Sequence, residues 1–265
     1  MDNVQPLVSI IMPAYNAEAT LEESIKSVLA QTLQDWELII AVDAATDGTL
    51  AIALGWQNKD SRIRVIFEEV NQGVAGIRNL AMAQASGKYI AFLDSDDLWL
   101  PEKLSMQLSF MSESGARVCY SAYRRFDKQG PLNIVMPPDR VDYPRLLRGN
   151  VIGNLTGVVE RSLVDGIWFE RVGHEDYLFW LKVLARAGVA YRVPGNAPIA
   201  EYRVAENSLS ANKVRNMRWQ WHIYRKELEL PLAQSLYFMA SYVILAFYKR
   251  AGLRSLFFSV KPGGK

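Results

Sequence analysis

Apolar runs alternate with amphipathic stretches along the first hundred residues. The segments between the apolar runs carry apolar residues at helical spacing, as Leu21, Ile25 and Val28 do in the first segment. The runs have the length of buried strands and occupy residues 7–12, 36–42, 63–67 and 89–93. This alternation predicts right-handed βαβ units, and therefore an α/β fold with a mostly parallel central sheet flanked by helices. We expect Asn16 to cap the first helix.

The pattern becomes less regular after residue 97. A segment rich in Pro and Gly, residues 128–142, predicts a loop, and weak alternation over residues 150–160 predicts a strand at a sheet edge. A clear amphipathic helix follows Gly173. The other predicted elements are a helix at 101–113 and strands at 116–126, 189–193 and 199–204. The chain therefore continues as a mixture of strands and helices.

Three carboxylates, here called the acidic cluster, follow the fourth apolar run within four residues: Asp94, Asp96 and Asp97. Asp43 follows the second run, and the carboxyl ends of parallel strands meet at the edge where open α/β sheets bind ligands. Like charges this close cost energy unless a cation lies between them, and Mg²⁺ or Mn²⁺ suits carboxylate oxygens. One of the aspartates could instead cap the next helix. The sequence thus predicts a metal or ligand site at this edge.

Net charge and cysteine content narrow the possible partners. The formal net charge is only +2, which argues against nucleic acid as a partner. Cys119 is the only cysteine, so no intrachain disulfide can form, and its apolar surroundings predict a core residue. The N-terminus lacks a basic segment followed by an apolar one, so we expect no secretion signal. These features fit a cytoplasmic protein.

Positive charge concentrates at the C-terminal end. Residues 203–265 carry 11 Lys and Arg against 3 acids, while residues 1–202 carry 19 against 25. A basic tail on an acidic body predicts an anionic surface as partner. Residues 232–248 form an apolar stretch at the short limit for a membrane span, interrupted by polar side chains. We expect an amphipathic helix lying in the plane of a membrane; the alternative is a helix packed on the rest of the protein.

Ordered motifs run through most of the chain. They are VSIIMPAYN at 8–16, SVLAQT at 27–32, WELII at 36–40, NQGVAGIRN at 71–79, LDSDD at 93–97, HEDY at 174–177 and YRV at 202–204. Together they resemble family-2 glycosyltransferases, which have the GT-A fold, and a set in this order is far more specific than one short motif. The resemblance implies a GT-A domain at residues 1–210, with a donor half to about residue 100 and an acceptor half after it. Residues 211–265 would form a basic, amphipathic helical extension.

The resemblance implies an enzyme that moves one sugar from a nucleotide-diphosphate donor, which we expect to be a UDP-sugar. It places the nucleotide against Pro13, Ala14 and Tyr15, and it makes Asp43 the acceptor of a hydrogen bond from the base. Further implied donor contacts are Arg78, Asp94, Ser95 and Asp96. Simpler roles stay open, since Asp43 can cap a turn, Tyr15 can pack and Arg78 can face solvent.

The leaving diphosphate needs its developing charge neutralised, which a divalent metal does as a Lewis acid. By resemblance, Asp94 and Asp96 form a DxD-type motif for Mn²⁺ or Mg²⁺, with Asp97 beside them. The direct ligand among the three stays open.

The HEDY motif implies the acceptor chemistry. Asp176 is the implied catalytic base, which takes the proton from the acceptor hydroxyl in an inverting transfer. Glu175 and His174 are implied acceptor contacts. The simpler alternative is that the helix dipole favours carboxylates in the first turn.

Two departures limit what the resemblance implies. The family usually has VDDGSTD after the second strand, whereas residues 41–47 read AVDAATD, so this loop gives little information on donor preference. The Gln-x-x-Arg-Trp motif of processive synthases is absent, which favours one sugar per event. We expect a role in bacterial O-antigen, capsule or lipopolysaccharide synthesis, on a lipid-linked or saccharide acceptor at the inner face of the cell membrane. The alternatives are a polyprenyl-phosphate sugar synthase and a catalytically silent protein that binds nucleotide sugars.

Overall fold

Two sheets organise the computed structural model, which describes residues 5–204 and 213–250. The strands in chain order are β1 (Val8–Ala14), β2 (Trp36–Asp43), β3 (Ile63–Glu68), β4 (Tyr89–Phe92), β5 (Leu98–Trp99), β6 (Val118–Tyr120), β7 (Tyr123–Asp127), β8 (Gly130–Val135), β9 (Arg140–Asp142), β10 (Val158–Glu160), β11 (Val189–Arg192) and β12 (Ala200–Arg203). The large sheet has the order β3-β2-β1-β4-β10-β6-β11-β9, and the small sheet has the order β5-β12-β7-β8.

Helices cover both faces of the large sheet. They are α1 (Leu21–Leu29), α2 (Thr49–Gln57), α3 (Gly73–Ala83), α4 (Lys103–Ser114), α5 (Tyr143–Leu146), α6 (Glu175–Ala187), α7 (Lys213–His222) and α8 (Leu232–Arg250), with a π-helical turn at Ile223–Glu227. Alternate strand residues point to opposite faces. Ile11 and Ile39 therefore pack with α3 and α6, while Ile10 and Ile40 pack with α1 and α4.

The predicted parallel strands are confirmed. β1 pairs in parallel with β2 and β4, and β2 pairs in parallel with β3. Their carboxyl ends therefore meet at one edge, where Tyr15, Asp43 and the residues after Phe92 emerge. This edge holds the donor-side part of the candidate site.

The second half of the chain corrects three predictions. Residues 128–142 were predicted as a loop, but they contain β9 and also β8, which pairs antiparallel with β7. The strand predicted at 116–126 is two strands, β6 and β7, which join different sheets. β10, predicted at an edge, lies between β4 and β6 and runs antiparallel to both. Short strands of this kind lack the long apolar runs that marked the parallel ones.

The described part of the C-terminal region packs on the main core. Ile223 and Tyr224 are fully buried there, and Phe238 and Met239 of α8 pack against the same cluster. The opposite side of α8, here called the α8 outer face, leaves apolar side chains exposed: Leu232, Leu236, Val243 and Ile244. Within the described residues, no helix is both long enough and apolar enough to cross a membrane.

Candidate active site

The three carboxylates of the acidic cluster differ in how deeply they are buried. Asp96 is exposed, Asp94 is half-buried, and Asp97 is only 1% exposed. Asp97 Oδ1 accepts the backbone N–H of Arg203 at 2.9 Å, and Arg203 Nε donates to the carbonyl oxygen of Asp96 at 2.8 Å. Asp97 thus ties the end of β12 to the cluster. One carboxylate oxygen of Asp97 is therefore engaged by the backbone, and its implied contact with a metal stays a prediction.

Asp94 and Asp96 are the two carboxylates of the cluster that are accessible to a divalent cation. Partial burial and the neighbouring charge of Asp94 both raise the pKa of Asp96, so the two acids repel each other as the site stands. In the described part of the chain no three acidic, His or Cys side chains are grouped to hold a metal. Mg²⁺ is commonly held by one or two carboxylates together with substrate phosphates. If Asp94 and Asp96 hold such a cation, its other ligands would come from the donor diphosphate.

A buried arginine links the two halves of the site. Arg78 of α3 is 3% exposed, and it donates from Nη2 to Asp94 Oδ1 at 2.6 Å and from Nη1 to Glu175 Oε1 at 2.8 Å. Burial acts to lower its pKa, but the two carboxylates outweigh burial and raise it. Arg78 is thus a permanent cation between donor-side and acceptor-side acids. It does not face solvent, and any donor contact would have to share it with these partners.

The first turn of α6 presents the candidate base. Asp176 Oδ2 accepts the side-chain amide of Asn150 at 3.2 Å. Burial, and then the charge of Glu175, raise the pKa of Asp176 to about 6, while Arg78 opposes the rise. A carboxylate of this pKa is ionised near neutral pH yet basic enough to accept a proton. The surroundings of Asp176 therefore go beyond what a helix-dipole preference requires.

His174, just before α6, has a left-handed backbone with φ of 61°. Its ring packs edge-to-face against Trp219 of α7, with centroids 5.3 Å apart, and burial lowers its pKa. The structure therefore gives His174 a packing role beside the base. Its implied contact with the acceptor stays a prediction.

The donor-side residues from the first two strands differ in accessibility. Pro13 and Ala14 are buried, whereas Tyr15 is 55% exposed at the end of β1 and available to a ligand. Asp43 is buried, and its Oδ1 accepts the backbone N–H of Gln72 at 2.6 Å. The turn-capping role of Asp43 is therefore present, and its contact with a nucleotide base stays a prediction. Ser95 is half-buried within the acidic cluster.

Asn16 does not cap the first helix as predicted. α1 begins at Leu21, and Asn16 instead has φ of 47° and accepts the backbone N–H of Thr46 at 2.9 Å. This bond joins the loop after β1 to the loop after β2. Asn16 thus shapes the donor-side edge.

Asn150 is the site residue that sequence reasoning missed. It lay at the start of a predicted strand, and no spacing or motif links it to Asp176 26 positions later. Its neighbour Gly149 has φ of 142°, so a Gly-Asn pair marks an irregular loop. That pair weakly indicates a turn, but it does not indicate that Asn150 contacts the candidate base Asp176.

Comparison with known proteins identifies the family. The pattern described as Glycosyl transferase family 2 matches residues 9–159. The chain is 38% identical over 245 residues to the Escherichia coli UDP-Glc:alpha-D-GlcNAc-diphosphoundecaprenol beta-1,3-glucosyltransferase WfgD, covering 92% of this chain and 95% of that one. It is 36% identical to the putative teichuronic acid biosynthesis glycosyltransferase TuaG of Bacillus subtilis strain 168, covering 94% and 100%.

Solved structures share the fold. TarS of S. aureus, in complex with UDP-GlcNAc, superposes with a TM-score of 0.70 at 23% identity, covering 89% of this chain and 71% of that one. The mannosyltransferase PcManGT of Pyrobaculum calidifontis, in complex with GDP-Man and Mn²⁺, superposes with a TM-score of 0.65 at 17% identity. The match covers 94% of this chain and 76% of that one. The predicted GT-A fold is thereby confirmed. The protein is a glycosyltransferase, and it belongs to glycosyl transferase family 2.

Proposed function

We propose that the protein transfers one sugar, with inversion, from a UDP-sugar to a hydroxyl of a lipid-linked acceptor in the synthesis of a bacterial surface polysaccharide. One observation carries the proposal: Arg78 joins Asp94 to Glu175, next to Asp176. A donor bound at the acidic cluster and an acceptor bound at α6 would therefore meet in a single crevice.

The donor half would use the acidic cluster. Asp94 and Asp96 would hold a Mn²⁺ or Mg²⁺ ion, which supplies Lewis-acid neutralisation of the leaving diphosphate. Tyr15 is exposed for contact with the nucleotide, and Asp43 would accept a hydrogen bond from the base. Arg78 keeps Asp94 oriented, because both its terminal nitrogens are committed to carboxylates.

The acceptor half would use the first turn of α6. Asp176 takes the proton of the acceptor hydroxyl at Oδ1 or Oδ2 as the hydroxyl oxygen bonds to the anomeric carbon. The electron pair of the breaking carbon–oxygen bond leaves with the diphosphate. Asn150 fixes the carboxylate through Oδ2, while Glu175, held by Arg78, is placed to orient the sugar.

The relatives and the C-terminal helices support the choice of a lipid-linked acceptor. WfgD is named for transfer from UDP-Glc to GlcNAc on a diphosphoundecaprenol, which makes UDP-glucose and a diphospholipid-linked sugar the first substrates to examine. The α8 outer face exposes apolar side chains. Arg218 and Trp221 of α7 line a groove of about 420 Å³ together with Lys226 of the π-helical turn that follows. An apolar helix face with cations nearby suits the surface of an anionic membrane, which supports peripheral association with the inner face of the cell membrane.

A product assay tests the proposal. The purified full chain is incubated with UDP-glucose and a synthetic GlcNAc-diphospholipid, with Mn²⁺ or with EDTA, and products are identified by mass spectrometry. We expect a product heavier by one hexose, formed with Mn²⁺ and lost with EDTA. A polyprenyl phosphate in place of the GlcNAc-diphospholipid separates this reaction from a polyprenyl-phosphate sugar synthase. If no UDP-sugar yields product on either acceptor although UDP binds, the protein is a nucleotide-sugar binder and the proposal is wrong.

A further inference from the structure

α7 lies directly on the turn that leads into the candidate base. Gly173 has no room for a side chain, because a Cβ at this position would lie 1.9 Å from Cδ2 of Trp219. The next residue, His174, holds its left-handed backbone with its ring against the same indole. His174 also hydrogen-bonds to the side chain of Asn216, one turn before Trp219. Side chains of α7 therefore contact both residues that precede Glu175 and Asp176.

Trp219 is itself held in place. The guanidinium of Arg215 lies 4.9 Å from the centre of the indole ring, one turn earlier on α7. Gln220 and Ile223, next to Trp219 on the inner side, are buried against the domain. The indole thus has a partner on its own helix, and that helix is anchored to the domain beside it.

α8 contacts the other loop that holds the base. A Cβ at Gly149 would lie 3.5 Å from Cδ2 of Tyr242, and Arg148 Nη2 donates to the hydroxyl of Tyr237 at 3.3 Å. Asn150, the amide partner of Asp176, follows immediately. The described C-terminal helices therefore contact both of the loops that orient Asp176.

We propose that Trp219 is a positioning residue for transfer: its indole fixes the turn at Gly173 and His174, and through that turn the direction in which α6 presents Glu175 and Asp176. A left-handed backbone at a non-glycine residue, here with φ of 61°, is strained and persists only where its surroundings enforce it. Trp219 supplies those surroundings. The inference rests on the proposed function, because it takes Asp176 as the base.

The first experiment separates positioning from folding. For Trp219→Ala, Trp219→Phe and the wild type, kcat and the donor KM are measured together with the Kd for UDP. We expect Trp219→Ala to lower kcat at least tenfold while the donor KM and the UDP Kd stay within about twofold, since the donor half is untouched. Trp219→Phe, which keeps an aromatic ring, should recover most of kcat. Trp56→Ala, a half-buried tryptophan on α2, controls for loss of an indole and should keep wild-type kcat.

A double-mutant cycle gives the second test. Gly173→Ala should lower kcat strongly, because the added methyl group collides with the indole. In the Trp219→Ala background the same methyl group has space, so it should cost much less. Additive losses would overturn the inference, as would wild-type kcat in Trp219→Ala. If Trp219→Ala fails to fold, Trp219→Phe and Gly173→Ala still test the inference. Trp219→Phe must be active, and Gly173→Ala must lose kcat with UDP binding intact.

Asp176→Asn separates the inference from the proposed function. Its inactivity upholds the proposed function even where the Trp219 inference fails.

Discussion

Arg78 and Glu175 are 97 positions apart in the chain, and their side chains meet with Nη1 and Oε1 2.8 Å apart. The second terminal nitrogen of Arg78 holds Asp94 at 2.6 Å. One buried guanidinium therefore sets the spacing between a carboxylate of the donor half and a carboxylate of the acceptor half.

Arg78→Met removes the cation that both carboxylates share. We expect the substitution to lower the free energy of unfolding by about 3 kcal/mol. This loss is at the low end of the range for broken buried ion pairs, because Asp94 and Glu175 keep partial solvent contact. Urea unfolding measures the change. Arg78→Lys is the matched control, since it keeps the charge but not the forked donors, and it should recover only part of the loss. Unchanged stability in Arg78→Met would contradict the linking role.

The rate of transfer should fall in acid. Asp176 must be ionised to accept a proton, and burial together with Glu175 raises its pKa to about 6. Because kcat/KM reports the ionisation of the free enzyme, its value should drop about tenfold per pH unit below about pH 6 and level off above it. Glu175→Gln removes the neighbouring negative charge and should move the inflection to lower pH. A wild-type inflection at the ordinary aspartate value of about 4 would argue against this environment for the base.

Two adjacent aspartates should respond differently to the same substitution. Asp96→Asn should weaken Mn²⁺-dependent UDP binding at least tenfold, about 1.4 kcal/mol, because Asp96 is the exposed carboxylate of the cluster. Asp97→Asn should change it by less than about twofold, since Asp97 is buried and the amide oxygen can still accept the N–H of Arg203. Calorimetric titration of UDP with Mn²⁺ and with EDTA measures both. The reverse order of effects would place Asp97, and not Asp96, at the metal.

The α8 outer face should bind anionic membranes. Leu236→Ser combined with Ile244→Ser removes two exposed apolar side chains, and full burial of each such side chain contributes about 1.5–3 kcal/mol. Flotation with vesicles containing anionic lipid should show at least tenfold weaker binding than the wild type. Leu54→Ser changes an exposed leucine on α2, is the control and should float as the wild type does. Equal flotation of all three proteins would leave α8 without a membrane role.

The donor half of the fold was predictable from sequence because its strands are buried on both faces. Ile10, Ile39 and Phe92 are fully buried, so their strands read as continuous apolar runs. The strand at Gly130–Val135 was not predictable from the sequence, because most of its residues are exposed and it begins with Gly-Pro. The central position of Val158–Glu160 was also hidden, because three residues carry no information on which strands flank them.

The sequence indicated which residues could form the candidate site, but it did not indicate which of them contact each other. The spacing of Asp94 and Asp96 and the HEDY motif pointed to the two segments that Arg78 joins. Nothing local shows that Arg78 joins Asp94 to Glu175, because that bond depends on tertiary packing. Lys103 shows the same limit: a lysine in a helix pattern suggests solvent, yet here it is fully buried above the ring of Trp99, and burial lowers its pKa to about 7.

The most direct test of the account compares transfer and donor binding in Asp176→Asn. The substitution keeps the size of the side chain and a hydrogen-bond acceptor for Asn150, but it removes the group that takes the proton. We predict that transfer from UDP-glucose falls about 10²–10⁴-fold while the Kd for UDP stays unchanged. Retention of more than about a tenth of wild-type transfer would contradict the assignment of Asp176 as the base.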